Sequence, residues 1–154
     1  MALVNPWENS VPPDARCCNG RDTDLSAINY NVDRDARRVL IQFRGDLDGH
    51  AVHAAVTRLS EEVPEIAGYD SICDMLGFTG HVSFDDIGAI ADGWRRVSGG
   101  CDRGRRTAVV SDDPFAPVYI KAIALCFGGR ELAVFRTLDE AERWLKSPRP
   151  RAKR

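Results

Sequence analysis

Two histidines and two carboxylates lie close together in the sequence. His50 and His53 are three residues apart in a predicted helix, and Asp46 and Asp48 precede them. Imidazoles at this spacing share a helix face and, with nearby carboxylates, could bind zinc or another divalent cation. A metal site needs three or four convergent ligands, and no third ligand follows at a useful spacing. We therefore interpret both histidines as exposed polar residues of the first helical turns, and we predict no metal and no other cofactor.

A second group of reactive side chains follows a predicted strand. Asp74 lies near the end of that strand, and His81 and Ser83 come after a loop rich in glycine. His81 and Ser83 could supply a base and a nucleophile, but Val82 and Phe84 flank the serine, so the nucleophile elbow G-x-S-x-G is absent. No P-loop and no G-x-G-x-x-G follows a strand either. The sequence predicts no enzymatic activity, and an uncharacterised enzyme is the remaining alternative.

The position of this group still indicates a binding surface. Ligands of open α/β sheets bind beside the carboxyl ends of the strands, where Asp74, His81 and Ser83 are expected to lie. Ser83 is also a suitable N-cap for the next predicted helix, with Asp86 in the capping-box position.

Residues 114–127 form a predicted helix that is apolar on every side. Lys121 is its one charged residue. Such a helix must be buried on all sides or must face a partner. One interpretation is that the helix is partly exposed, which its three alanines make tolerable because their side chains are small. The others are a dimer interface, a lid over an apolar pocket, or a membrane-surface contact, which fits least because the helix has no basic face. The residues predicted to form the surface are Phe115, Tyr119, Ile120, Ile123 and Phe127.

Basic residues gather in two places. One cluster comprises Arg95, Arg96, Arg103, Arg105 and Arg106, and the other is a C-terminal tail at 147–154. Such clusters can bind nucleic acid or an anionic surface. The aromatic residues that would stack on bases are not interleaved with them, and Trp94 is predicted to face the core. We interpret the clusters as a solvated helix end and a disordered tail, and we predict no nucleic-acid binding.

Length and composition restrict the class of protein. A chain of 154 residues suits one domain with a proper core. Hydrophobic residues at 44%, charged residues at 29% and a net charge of -2 are typical of a globular protein without bulk affinity for polyanions. No apolar run approaches the ~20 residues that span a bilayer, and the N-terminus lacks the features of a secretory signal. Five cysteines without C-x-x-C spacing predict a reduced, cytoplasmic protein, and a vicinal Cys17–Cys18 disulfide is the alternative.

The hydrophobic pattern predicts the elements that position these residues. Residues 1–26 carry several prolines and no periodicity, which predicts an arm that is flexible or packs on a subunit. Residues 27–146 alternate strand and helix patterns in the order ββαβαβαβα. The predicted strands are 28–32, 39–43, 69–75, 106–110 and a short one from 131. Asp113-Pro114 is predicted to start the third helix, and Thr137 with Glu140 to cap the fourth. The expected fold is α/β, with a mixed five-stranded sheet and covering helices.

The closing segment suggests a family. The run Glu131-Leu-Ala-Val-Phe-Arg-Thr-Leu-Asp-Glu-Ala-Glu-Arg-Trp-Leu145, the phrase Arg106-Thr-Ala-Val-Val-Ser-Asp112 before an apolar helix, and the leading hairpin resemble the SpoIIAA-like proteins. These are bacterial relatives of the STAS domain of anti-sigma-factor antagonists. The resemblance spans roughly residues 27–146. It implies a STAS-like fold, no established enzymatic activity, and roles in protein interaction or apolar ligand binding.

The resemblance also draws attention to Ser83. Anti-sigma-factor antagonists carry a phosphorylatable serine at the start of the helix after the third strand, in an Asp-Ser-x-Gly context, and Ser83 falls at a similar place. Val82 replaces the aspartate here, and Asp85 and Asp86 stand near the small residues. Those carboxylates would repel a phosphate. We interpret Ser83 as an N-cap, with phosphorylation as the alternative.

These observations lead to two hypotheses. The first is a cytoplasmic, non-enzymatic STAS-like module that binds a protein partner, or itself as a homodimer, through helix 114–127 and the 76–83 loop. The alternative is a carrier or sensor of a small apolar, lipid-like ligand held between that helix and the sheet.

Overall fold

The computed structural model describes residues 27–150. The predicted α/β fold and the order ββαβαβαβα are confirmed, with one additional short 3-10 helix at Pro64–Gly68. The strands are β1 Ile28–Asp33, β2 Arg38–Gly45, β3 Asp70–Phe78, β4 Arg106–Val110 and β5 Glu131–Phe135. The helices are α1 Gly49–Glu62, α2 Phe84–Ser98, α3 Ala116–Cys126 and α4 Leu138–Lys146.

The sheet follows the order of the chain, β1-β2-β3-β4-β5. β1 and β2 form an antiparallel hairpin, and β2 to β5 are parallel. Parallel neighbours need crossover connections, and α1, α2 and α3 are those connections. Successive crossovers of the same hand that follow the strand order all lie on the same face of the sheet. α1, α2 and α3 therefore cover one face, and α4 covers the other.

The core accordingly has two halves, one on each face of the sheet. Adjacent residues of a strand point to opposite faces, and Val39 and Leu40 of β2 show this. Val39 packs with Leu59 of α1, whereas Leu40 packs in the cluster that contains Ala141 and Leu145 of α4. All five of these side chains are buried.

The prediction for the start of α3 was wrong. The helix begins at Ala116 and not at Pro114. The Asp113 carboxylate accepts a hydrogen bond from the Phe115 amide at 2.8 Å, and the Asp113 carbonyl accepts one from the Ala116 amide at 3.1 Å. These bonds form a turn before the helix, and Pro117 occupies its first turn.

The predicted end of β3 was also wrong, because the strand continues from Met75 to Phe78. A register shift in β2 between Gln42 and Arg44 allows pairing to resume, with Arg44 opposite Gly77. Part of the predicted 76–83 loop is therefore strand, and the true loop is shorter.

The buried face of α2 is narrow. Ile90 and Ala91 are buried, and Trp94 points inward as predicted. Phe84 and Val97, at opposite margins of this face, are 58% and 48% exposed.

The interpretation of Arg106 as a solvated residue was wrong. Its side chain is 2% exposed, and its guanidinium lies 4.8 Å from the centre of the Trp144 ring. It donates hydrogen bonds to the Glu131 carboxylate at 3.1 Å and to the backbone carbonyls of Trp144 at 2.8 Å and Ser147 at 3.0 Å. Arg106 thereby binds the end of α4, and the first residues after it, to the sheet.

A second arginine with internal contacts, the half-buried Arg130, was not singled out by the sequence. It donates to the carbonyls of Ala67 and Tyr69 at 3.2 and 2.6 Å and to the Thr107 hydroxyl at 2.9 Å. Its guanidinium also lies 5.4 Å from the centre of the Trp94 ring. Desolvation lowers the pKa of Arg130, and these acceptors keep the partly desolvated cation hydrogen-bonded.

We predict that Arg106→Met lowers the free energy of unfolding by about 3 kcal/mol, because it removes the charged hydrogen bonds that join the carbonyls of Trp144 and Ser147 to the sheet. Arg103→Met is the control, since Arg103 is exposed and lies near by in the chain. Urea unfolding of both variants measures the difference. Equal midpoints would show that Arg106 is not needed to hold α4.

Candidate functional site

The loop after β3 is bound to the connection between β2 and α1. The Thr79 amide donates to the Gly45 carbonyl at 3.0 Å, and the His81 amide donates to the Leu47 carbonyl at 3.1 Å. Gly80 lies so close to Leu47 that an added Cβ would fall 1.9 Å from the Leu47 carbonyl oxygen. This backbone contact requires glycine at position 80 and fixes the path of the chain toward α2.

Ser83 forms the predicted capping box with Asp86, which is confirmed. The Ser83 hydroxyl accepts from the Asp86 amide at 3.1 Å and donates to the Asp86 carboxylate at 2.7 Å. The same carboxylate accepts from the Ser83 amide at 3.0 Å. The hydrogen bonds from Ser83 lower the pKa of Asp86. A phosphate on Ser83 would have to displace this carboxylate, so the contact supports the N-cap interpretation.

Asp74 does not share an exposed surface with His81. It is 1% exposed, and its carboxylate accepts hydrogen bonds from Arg44 at 2.9 Å, the Leu76 amide at 3.1 Å and Gln42 at 3.3 Å. Burial opposes ionisation, but these three bonds outweigh it and lower the pKa of Asp74. The structure thus places Asp74 in an internal ion pair, whereas His81 is exposed and Ser83 is half-buried.

The two histidines of α1 have different surroundings. His50 is exposed, as predicted, but His53 is half-buried. It lies against α2, where a Cβ added at Gly93 would come 3.3 Å from His53 Nε2. The prediction of an exposed His53 was wrong because α2 packs on that side of α1. Within residues 27–150, no group of three or more histidine, cysteine or acidic side chains is arranged to hold a metal ion.

The outward side of α3 is the most unusual surface of the molecule. Phe115, Val118, Tyr119 and Leu125 are 63%, 66%, 51% and 85% exposed. Phe115 is the N-cap of α3. Val118 and Tyr119 follow it by three and four residues, and Leu125 follows Val118 by seven, so the four side chains lie on one side of the helix, which we call the α3 stripe. Ordinary surfaces carry isolated exposed apolar residues, and a contiguous set marks an interaction site.

The sequence identified this helix correctly but only part of its surface. Among the predicted surface residues, Phe115 and Tyr119 belong to the α3 stripe, whereas Ile120, Ile123 and Phe127 are half-buried on the inner side. Val118 and Leu125 were missed. Lys121 could have indicated them, because a charged side chain marks the exposed side of a helix. Val118, three residues before Lys121, and Leu125, four residues after it, lie on the same helix face.

The first residues of the predicted basic tail are bound to the sheet. Arg149 forms an ion pair with Asp70 at 2.8 Å, and Ser147 is held by Arg106. Arg106 and Arg149 are therefore both paired with carboxylates of the protein itself. The predicted N-terminal arm and the Cys17–Cys18 pair lie outside the described residues.

The lengths and apolar character of the helices show whether any of them could cross a membrane. No helix within residues 27–150 combines the length and the apolar character that crossing a bilayer requires.

Comparison with solved structures shows the fold. An uncharacterised protein of the DUF3478 family from Shewanella loihica PV-4, described as having a SpoIIAA-like fold, is similar to this chain with a TM-score of 0.50 and 20% sequence identity, over 77% of this chain and 92% of that one. The phosphorylated form of the Bacillus cell fate determinant SpoIIAA matches with a TM-score of 0.45 and 19% identity, over 78% of this chain and 100% of that one. No protein-family model and no curated protein matches the chain. The chain has a SpoIIAA-like fold, as the resemblance implied.

We predict that Ser83→Ala lowers the free energy of unfolding by about 1 kcal/mol through loss of the N-cap. Ser83→Thr keeps a capping hydroxyl and is the matched control. Thermal or urea unfolding tests both variants. If the alanine variant is as stable as the threonine variant, the cap does not explain Ser83.

A second prediction concerns pH. Because the pKa of Asp74 is lowered in the folded protein, its ion pair with Arg44 stabilises the fold above the ordinary carboxyl pKa of ~3.9. That contribution disappears as the pH falls through the folded pKa. The stability lost in Arg44→Met should therefore be largest at neutral pH and should shrink in acid. Arg96→Met is the control, since Arg96 is exposed, and a deficit of Arg44→Met that did not change with pH would contradict the prediction.

Proposed function

We propose, starting from the SpoIIAA-like fold, that this protein is a non-enzymatic, STAS-like module that acts by binding another protein through the α3 stripe. The observation that carries the proposal is the exposure of four large apolar side chains on one helix, with Leu125 at 85%. Burial of one such side chain against a partner is worth about 2 kcal/mol. Aromatic anchors such as Phe115 and Tyr119 are typical of the centres of protein interfaces.

The surroundings of the reactive side chains support a role without catalysis. The hydroxyl of Ser83 is bonded to Asp86, and the carboxylate of Asp74 is enclosed by Arg44 and Gln42. The lowered pKa of Asp86 makes its carboxylate a poor base for the Ser83 hydroxyl, and the lowered pKa of Asp74 beside Arg44 makes Asp74 a poor general acid.

A cytoplasmic location is part of the proposal. Within residues 27–150, Cys73, Cys101 and Cys126 are free thiols. Desolvation raises the pKa of Cys73 to about 11, so this thiol stays protonated and behaves as a small apolar side chain.

A carrier or sensor of a small apolar ligand is the second candidate. Of the 11 residues of α3, only Ala116 is buried, and Ile120, Ile123 and Phe127 on the inner side are half-buried. An inner side that is not closely packed favours a ligand between α3 and the sheet. Native mass spectrometry of freshly purified protein separates the two candidates, because a carrier retains a lipid-like mass and a protein-binding module does not.

We predict that a photo-crosslinking amino acid at position 118 forms covalent adducts with a protein in the cells that produce the chain. The matched control is position 54 in α1, which is also an exposed helical position. Adding Leu125→Lys should abolish the adduct at 118 without lowering the unfolding midpoint, because this side chain is 85% exposed and contributes little to the core. No adduct, or equal labelling at both positions, would contradict protein binding through the α3 stripe.

A further inference from the structure

The two ends of α3 carry opposite charge. Asp112 and Asp113 lie at the start of the turn that leads into the helix, and both are exposed. Asp113 caps the turn through its bond to the Phe115 amide, and Asp112 forms no ion pair with another described residue. The N-terminal end of the α3 stripe is therefore acidic.

The C-terminal end of α3 lies against a basic loop. The Gly104 amide donates to the Gly129 carbonyl at 2.8 Å, and a Cβ added at Gly129 would come 3.6 Å from the Arg103 Cα. Arg103 is exposed and forms no ion pair with another described residue.

The nearby carboxylates do not cancel the charge of Arg103. Asp102 is buried and accepts a hydrogen bond from the Trp94 ring N–H at 2.9 Å. Glu131 is ion-paired with Arg106. The C-terminal end of the α3 stripe is therefore basic.

We infer that the partner of the α3 stripe is a second copy of this chain, with the two α3 helices antiparallel across a two-fold axis. The inference rests on the proposed function and names its partner. A two-fold axis perpendicular to both helices places the acidic end of each helix at the basic end of the other. Asp112 of each copy then faces Arg103 of the other, and this contact forms twice. A parallel arrangement would place like charges together.

The apolar residues suit the same arrangement. The α3 stripe extends over ten residue steps from Phe115 to Leu125, about 15 Å at the rise of an α-helix. Antiparallel pairing that places Phe115 of one copy near Leu125 of the other puts the axis at residue 120, so that Tyr119 of one copy lies near Lys121 of the other. Lys121 is the one charge within the helix. The stripe is thus complementary to itself in its apolar residues, and the opposite charges lie beyond its two ends.

The neighbouring helix enlarges this surface. A stable interface buries about 800 Å² on each partner, more than one helical stripe provides. α2 packs beside α3, and its Phe84 and Val97 are 58% and 48% exposed. The α3 stripe would form the apolar centre, the exposed side of α2 would widen it, and Asp112 and Arg103 would form the charged rim.

Charge reversal in the full-length protein tests the orientation. Sedimentation equilibrium at low salt would compare the wild type with Asp112→Lys, Arg103→Glu and the double variant. Each single variant creates two like-charge contacts by symmetry and should raise the dimer dissociation constant about tenfold. The double variant should recover the wild-type constant. An equal mixture of the single variants should recover it too, because both contacts in the mixed dimer join opposite charges. Both residues are exposed, so unfolding midpoints serve as the control for folding.

The outcomes separate this inference from the proposed function. A monomeric wild type, a dimer indifferent to Leu125→Lys, or a mixture that fails to recover would overturn antiparallel self-pairing. If position 118 is then crosslinked to a different protein, the proposed function stands and only the self-pairing fails. A monomer that becomes a dimer when residues 1–26 are removed would show that the chain's own segment occupies the stripe, and this also overturns the inference.

Discussion

The handedness of parallel crossovers is the constraint on which the rest of this structure depends. Because the strands follow one another in chain order, three crossovers of the same hand place α1, α2 and α3 in one layer. α3 is the last of them and lies beside β5, the edge strand. It therefore has a helical neighbour on one side only. The exposure of Leu125 and Val118 follows from this place in the layer, while their apolar character is a separate property of the sequence.

The same constraint makes α4 the one helix on the opposite face. A helix of nine residues has few side chains with which to hold itself on a sheet. Arg106 adds directional bonds to the apolar contacts of Ala141 and Leu145. On the other face, Arg130 links the backbone before β3 to β4. Within residues 27–150, the buried Arg106 and the half-buried Arg130 at the amino end of the sheet thus add hydrogen bonds to the apolar core.

Features that depend on short-range sequence were predictable, and those that depend on register or layering were not. The box between Ser83 and Asp86 involves residues three apart, so their types were enough to predict it. The extension of β3 to Phe78 requires a shift in its partner strand. The burial of Arg106 depends on residues far along the chain. The sequence of a basic cluster does not show which of its side chains are exposed and which are buried. The surface of α3 was half predictable, since apolarity is a property of the helix but its outward side is decided by its neighbours.

The residues after α4 have a consequence for how the domain can be cut or fused. Helical periodicity ends at Lys146, and the sequence alone would therefore place the domain boundary there. Yet the carbonyls of Ser147 and Pro148 accept hydrogen bonds from Arg106, and Arg149 pairs with Asp70. A chain that ended at residue 146 would leave the buried Arg106 guanidinium without these carbonyl acceptors. The minimal folding unit therefore extends to Arg149, and a C-terminal label belongs beyond that residue.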